Sequence, residues 1–353
     1  MWSGSPGLHR TSLRFARRQG EGVLMNLNTV LLGTDGPKVS VQGLGCMGMS
    51  EFYGDTDQAA ALDTLEATRE IGLNFLDTAD MYGIGANEEF LAPFINKHRE
   101  DVVIATKFGI QRTATERGPV SNDPAYIRQA CDASLKRLNI EVIDVYYMHR
   151  RASDVPLADS VGAMSELVAA GKVRYLGLSE VTGAELREAD AIHHISAVQS
   201  EWSIFSRDVE ISTVPAAREL GTALVAYSPL GRGFLTGELT NFGANDFRQF
   251  HPRFSGDNAK SNFELLDAIR RIAGAHDATL GQIALAWVHQ QAQVHNLTVV
   301  PIPGTRKRSR LFENAAATQI VLTQAQLDAL EPIAGLVSGP RYADMSGTSL
   351  ARE

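Results

Sequence analysis

The chain has 353 residues, 44% of them hydrophobic and 21% charged, with 33 Lys and Arg against 41 Asp and Glu for a formal net charge of −8. That apolar fraction can fill a large core, which excludes a disordered chain or a disulfide-stapled mini-domain, and the acidic balance disfavours a nucleic-acid-binding surface. No run of about 18 apolar residues marks a membrane span, and the two cysteines, Cys46 and Cys131, lack metal-ligand spacing. The composition predicts a cytoplasmic protein of enzyme size.

Residues 1–25 differ from the rest. They carry Arg10, Arg14, Arg17 and Arg18 against Glu21 alone, with no apolar stretch long enough for a secretory core. We read them as an unstructured basic extension, and residues 26–353 as a single domain. A hairpin is expected next, with strands at 29–32 and 39–41 around the turn Thr34-Asp35-Gly36-Pro37. Eight short apolar or β-branched runs follow, at 41–45, 73–78, 102–107, 143–149, 173–179, 197–202, 222–228 and 297–303. Amphipathic helical stretches separate them. One spans 58–71. A second opens at Asp123-Pro124, a capping acid before a first-turn proline, and runs to Leu138. A third covers 157–170 and ends at Gly171, which suits a left-handed cap. Strands alternating with helices of this length imply parallel pairing through right-handed crossovers. Eight such units predict an α/β fold, a (β/α)8 TIM barrel with an N-terminal β-hairpin and its active-site groups at the C-terminal strand ends. The stretch 231–260, rich in Gly, Asn, Phe and Arg, is too long for an idle connection and is read as a binding loop after the seventh strand.

Gly43-Leu44-Gly45-Cys46-Met47-Gly48 matches G-x-G-x-x-G. A dinucleotide fingerprint also needs a helix opening directly after it and an acid about twenty residues on. Here the helix is expected only near Asp57, so a Rossmann domain is not expected. More telling are four polar residues at or just beyond consecutive strand ends: Asp77, Tyr82, Lys107 and His149. Barrel geometry brings them to one rim. A phenol is a poor acid at neutral pH, but a neighbouring ammonium favours its ionised form. Lys107 would be that cation, held charged by Asp77. Tyr82 could then protonate a developing alkoxide, and neutral His149 could hydrogen-bond the same oxygen. No side chain in this set supplies two electrons, so a hydride-carrying cofactor is implied. A metal site through Asp77 and His149 lacks a closely spaced ligand pair, and no metal is expected.

The motifs GLNFLDTADMYG at 72–83, VVIATK at 102–107, DVYYMH at 144–149, VRYLGLS at 173–179, AYSPLGRG at 226–233 and PGTR at 303–306 resemble the aldo-keto reductase superfamily in order and spacing. The likeness runs from about residue 30 to 336. It implies a (β/α)8 barrel using NADPH/NADP+ without a Rossmann domain, with Asp77, Tyr82, Lys107 and His149 as the catalytic tetrad. By the same resemblance Asp77 is a cofactor-site residue as well, and Ser179 and Gln199 hold the nicotinamide carboxamide. Tyr227 stacks on the nicotinamide ring, Ser228, Leu230 and Gly231 lie along the pyrophosphate, and Met47 lies near the nicotinamide. Gly304, Arg306, Arg310 and Asn314 contact the adenosine phosphate. The basic run from Arg306 to Arg310 opens a helix, where cationic side chains and free backbone N–H groups suit a phosphate dianion.

Glu180 departs from the pattern, standing where many relatives have Asn, and Trp202 stands where Tyr is frequent; Trp202 is read as packing beneath the cofactor loop. The walls of the substrate pocket are expected from Met49, Phe52, Tyr53, Met81, Phe108 and the tail around Arg341-Tyr342, a mixed aromatic and Met lining for small apolar aldehydes or ketones. Phe234, Phe247, Phe250, His251 and Phe254 of the long loop are read as folding over the cofactor. The resulting expectation is an NADPH-dependent carbonyl reductase acting on small aldehydes or ketones, with neither nucleic acid nor membrane as a partner. Two alternatives stay open: an NADP(H)-binding regulatory or scaffold barrel, and an alcohol dehydrogenase working oxidatively on a pyridoxine-like alcohol.

Overall fold

A computed structural model describes residues 25–51, 56–113, 117–239, 242 and 246–353; most of the basic extension, together with Phe52 and Tyr53, lies outside these. The chain enters through the expected hairpin, with β1 (Thr29–Leu31) pairing antiparallel to β2 (Lys38–Ser40). The eight candidate strands follow as β3 (Leu44–Gly45), β4 (Phe75–Asp77), β5 (Val103–Phe108), β8 (Ile143–Met148), β9 (Val173–Ser179), β10 (Ala197–Glu201), β11 (Ala223–Tyr227) and β12 (Val299–Pro301). Between β5 and β8 the chain makes a small antiparallel excursion, β6 (Ile110–Arg112) with β7 (Arg117–Val120), which no alternating pattern announced.

The eight strands form one sheet in which every pairing is parallel and sequential, from β3 at one edge to β12 at the other. A parallel bridge between Gly45 and Gly304 joins the edges and closes the barrel. The seam demands glycine. A β-carbon on Gly45 would stand 2.9 Å from the carbonyl oxygen of Ile302, and one on Gly43 would stand 2.6 Å from the Phe75 ring. The motif that mimics a dinucleotide loop is thus explained by barrel closure.

Inward-facing Phe75, Ala105, Val145, Tyr147, Ala197, Val225 and Val300 fill the barrel, and Leu32 and Val39 around the hairpin pack into the same cluster. A second layer of Leu, Ile, Val and Met joins the outer sheet face to the helices. Local chemistry sets the helix starts. α1 (Gln58–Glu70) opens at Asp57, whose carboxylate accepts from the N–H groups of Ala59 and Ala60. α2 (Ala86–Lys97) follows β4, and α3 (Pro124–Leu138) opens at Asp123 in the same way as α1. α4 (Leu157–Ala169) ends before Gly171 at φ 74°. α5 (Gly183–Asp190) and α8 (Leu280–His295) begin with capping boxes, Thr182 with Glu185 and Thr279 with Gln282, while α6 (Thr213–Leu220), α7 (Gly256–His276) and α9 (Arg308–Ala316) complete the ring. Trp202 is buried beside Trp287 of α8, ring centroids 6.3 Å apart, and its Nε1 donates to Glu210. Among the described residues no helix is long and apolar enough to cross a membrane.

Candidate active site

Parallel register places the polar strand ends side by side. Asp77 pairs with Ala105 on β5, and Lys107 pairs with Tyr147 on β8, two residues before His149. Tyr82 reaches the same rim from a short helical turn after β4 (Tyr82–Gly85). Lys107 is completely buried; its Nζ donates to Asp77 Oδ1 at 2.5 Å and to the Thr78 carbonyl at 2.7 Å. Burial pushes the Lys107 ammonium below its ordinary range, and the Asp77 charge opposes that shift. The second Asp77 oxygen accepts from Gln199 Nε2 at 2.8 Å. Lys107 Nζ lies 5.3 Å from the Tyr82 ring centroid, and the Tyr82 and His149 rings meet edge-on at 6.0 Å. The four residues proposed from sequence are one cluster. Beside them Cys46 is buried, and burial, then the Asp77 charge, push its thiol well above the usual range, which makes it unreactive.

The cluster opens on a cavity of about 1070 Å³, which Asp77, Tyr82, His149 and Gln199 line. Met47, Tyr227, Ser228, Leu230, Gly304, Arg306, Lys307, Arg310 and Asn314 line the same cavity. Ser179 is buried behind the wall, where its Oγ accepts from Arg150, and Gly231 is buried at the turn that follows β11. α9, which carries Arg310 and Asn314, starts without a side-chain cap, which leaves backbone N–H groups of its first turn available. Arg306 Nη1 donates to the Gly48 carbonyl, and Arg310 pairs with Glu313 and Glu238. Arg308 turns away to pair with Glu70 and Asp63 on α1.

The expected pocket walls need correction. Met49 and Phe108 are core residues; Phe108 packs against Tyr146, and Met49 sits in the cluster beneath α1 and α2. Phe234 and Phe254 are likewise buried, with rings stacked at 5.4 Å. Met81, Phe247, Phe250, His251 and Tyr342 do line the cavity, but so do Arg112, Arg150 and Arg232. The lining is therefore far more cationic than the aromatic and Met surface expected.

Sequence reasoning missed one feature of this rim altogether. Glu180, fully buried at φ 52°, sits in an ion cluster that fastens the C-terminal tail to the barrel. Its oxygens accept from Arg341 at 3.0 and 3.1 Å, from the Tyr227 hydroxyl at 2.7 Å and from the Ser349 N–H at 3.1 Å. Arg341 also pairs with Asp208, and Arg232 with Glu201. Burial alone would raise the Glu180 pKa, but the charges of Arg341 and Arg150 and the bonds from Arg341 and Tyr227 bring it down to about 2. The partners lie 161 positions apart, a distance at which no periodicity or motif signals a contact.

The geometry agrees with what the chain is similar to. The model of the aldo/keto reductase family matches residues 43–334. A protein of Glycine max named "Probable aldo-keto reductase 1" is 42% identical over 323 residues, covering 90% of this chain and 92% of the relative. Among solved structures, a glycerol dehydrogenase from Gluconobacter oxydans superposes with a TM-score of 0.78 at 25% identity, over 88% of this chain and 96% of that one. The holo form of an aldo-keto reductase from Bacillus halodurans gives 0.70 at 26% identity, over 87% and 96%.

Proposed function

This chain belongs to the aldo/keto reductase family, and on that footing we propose that it reduces small aldehydes or ketones to alcohols with NADPH, using Tyr82 as the general acid. The observation that carries the reading is the fully buried Lys107–Asp77 pair directly behind the Tyr82 ring.

The cavity suits the cofactor. Its lining includes residues of the tetrad, the Tyr227 side chain and residues at the start of α9. Arg306, Lys307, Arg310 and Asn314 line it beside the uncapped first turn of α9, a donor set matched to a phosphate dianion and hence to NADPH rather than NADH. Bound there, NADPH supplies the hydride that the side chains cannot. The protein's own residues handle the proton. Tyr82 donates its hydroxyl proton to the carbonyl oxygen as negative charge develops there. The Lys107 ammonium stabilises the phenolate left behind, and Asp77 keeps that ammonium charged despite its burial. His149, edge-on to Tyr82, orients the carbonyl oxygen by a hydrogen bond. Solvent returns the proton to Tyr82. Incubating the purified protein with NADPH and a panel of activated aldehydes, followed by cofactor absorbance, tests the reading. Aldehyde-dependent oxidation of NADPH is expected, and its absence across the panel would favour a regulatory barrel instead.

A further inference from the structure

At the tetrad end of the cavity, cations are matched with acids: Lys107 with Asp77, Arg112 with Glu51 and Arg232 with Glu201. Arg150 breaks the rule. It follows His149 directly and lines the cavity half-buried, yet no carboxylate among the described residues comes within 4.0 Å of it. Its Nη1 donates to two neutral acceptors, the His149 carbonyl at 2.7 Å and Ser179 Oγ at 3.3 Å. These contacts, and the Tyr227 ring 5.9 Å away, hold the guanidinium in place. Nε and Nη2 have no hydrogen-bond partner among the described residues. Glu180 is near enough for its charge and that of Arg150 to influence one another. Its carboxylate oxygens, however, are occupied by Arg341, Tyr227 and the N–H groups of Glu201 and Ser349.

A guanidinium fixed in a protein wall without a counter-charge is costly, because it has given up water without gaining an ion partner. Its planar Nε/Nη2 edge is the fork that binds a carboxylate through two parallel hydrogen bonds. We propose that Arg150 is a specificity-determining residue that receives a carboxylate carried by the substrate, so that the preferred substrates are aldehydes or ketones bearing a carboxylate near the reacting carbonyl. The inference rests on the reductase reading and narrows its substrate class. It adds a charged group to the small apolar aldehydes or ketones expected from sequence, two of whose expected walls, Met49 and Phe108, are buried in the core.

The test compares 4-carboxybenzaldehyde with its methyl ester, which differs at the carboxyl group in charge and by one methyl. Wild type should favour the acid in kcat/KM by about tenfold or more. Arg150→Met should cut kcat/KM for the acid by about 30- to 100-fold, chiefly through KM, while the ester changes less than about threefold. Arg150→Lys should restore part of the loss, and the KM for NADPH should stay as in wild type. Equal losses on both aldehydes, a raised KM for NADPH, or a wild type indifferent to the charge would overturn the assignment. Calorimetric titration with 4-(hydroxymethyl)benzoate, the alcohol product, separates this idea from the reductase reading. Should neither aldehyde turn over, the reductase reading falls, and binding that Arg150→Met abolishes would still support the anion site. Absent binding, or binding that the variant retains, would overturn it.

Discussion

Replacing Asp77 with asparagine keeps the shape of the strand end but removes the only carboxylate paired with Lys107 among the described residues. The amide cannot satisfy both neighbours. Asp77 accepts from Lys107 Nζ through one oxygen and from Gln199 Nε2 through the other, so an asparagine must turn its own NH2 toward one of these donors. With the NH2 turned toward Lys107, the fully buried ammonium keeps the Thr78 carbonyl as its acceptor; turned the other way, it keeps a neutral amide oxygen in place of a carboxylate. Breaking a buried pair in this way costs about 3–5 kcal/mol. The loss carries a pH signature. Burial already holds the Lys107 pKa below 10.5, and Asp77 opposes that shift, so the substitution lowers the pKa further. Between the folded value and 10.5 the unfolded chain binds more protons, and stability therefore rises with pH by up to about 1.4 kcal/mol per unit. The deficit of Asp77→Asn should be largest below the variant's folded value and narrow as pH rises from there to the wild-type folded value, both below 10.5. Urea unfolding followed by the fluorescence of buried Trp202 and Trp287 measures it at each pH. A deficit under about 1 kcal/mol at pH 7, or one that stays constant to pH 10, would refute the reasoning.

Glu180→Gln removes a carboxylate whose pKa falls from 4.5 to about 2 on folding, a contribution of about 3 kcal/mol that is fully present above pH 4.5 and lost as pH drops toward 2. Thermal melts should show the variant well below wild type at pH 7 and the gap closing between pH 4.5 and 2; an equal gap at pH 7 and pH 3 would contradict the ion-cluster account. Arg306→Ala combined with Arg310→Ala should raise the KM for NADPH about tenfold or more while that for NADH moves little. Steady-state kinetics with the two cofactors checks this, and equal effects would remove the phosphate assignment.

The barrel was legible because short strands, several of them apolar on both faces, alternate with amphipathic helices; Asp57 and Asp123-Pro124 mark two of the helix starts where the structure has them. The strands flanking the seam were over-read. Of 41–45 and 297–303, only Leu44–Gly45 and Val299–Pro301 pair in ladders, since the glycines that close the barrel also end regular pairing. The tetrad was legible because its members stand at or near strand ends, where barrel geometry removes most freedom. Phe108 was misplaced although the period of two could have placed it: Lys107 faces the cluster, so its neighbour faces the helices. Met49 lies in a helical turn after β3, where no simple period applies. The Glu180–Arg341 clamp and the counter-charge missing at Arg150 depend on contacts between distant segments, and composition along the chain carries no trace of either.

The most direct test of the account is the Tyr82→Phe variant, which deletes one hydroxyl from a ring held between Lys107 and His149. Two quantities are measured together, kcat/KM for an activated aldehyde and NADPH affinity by fluorescence titration. A fall of about 10²- to 10⁴-fold in kcat/KM is expected, with NADPH affinity unchanged. Turnover undiminished in Tyr82→Phe would contradict it.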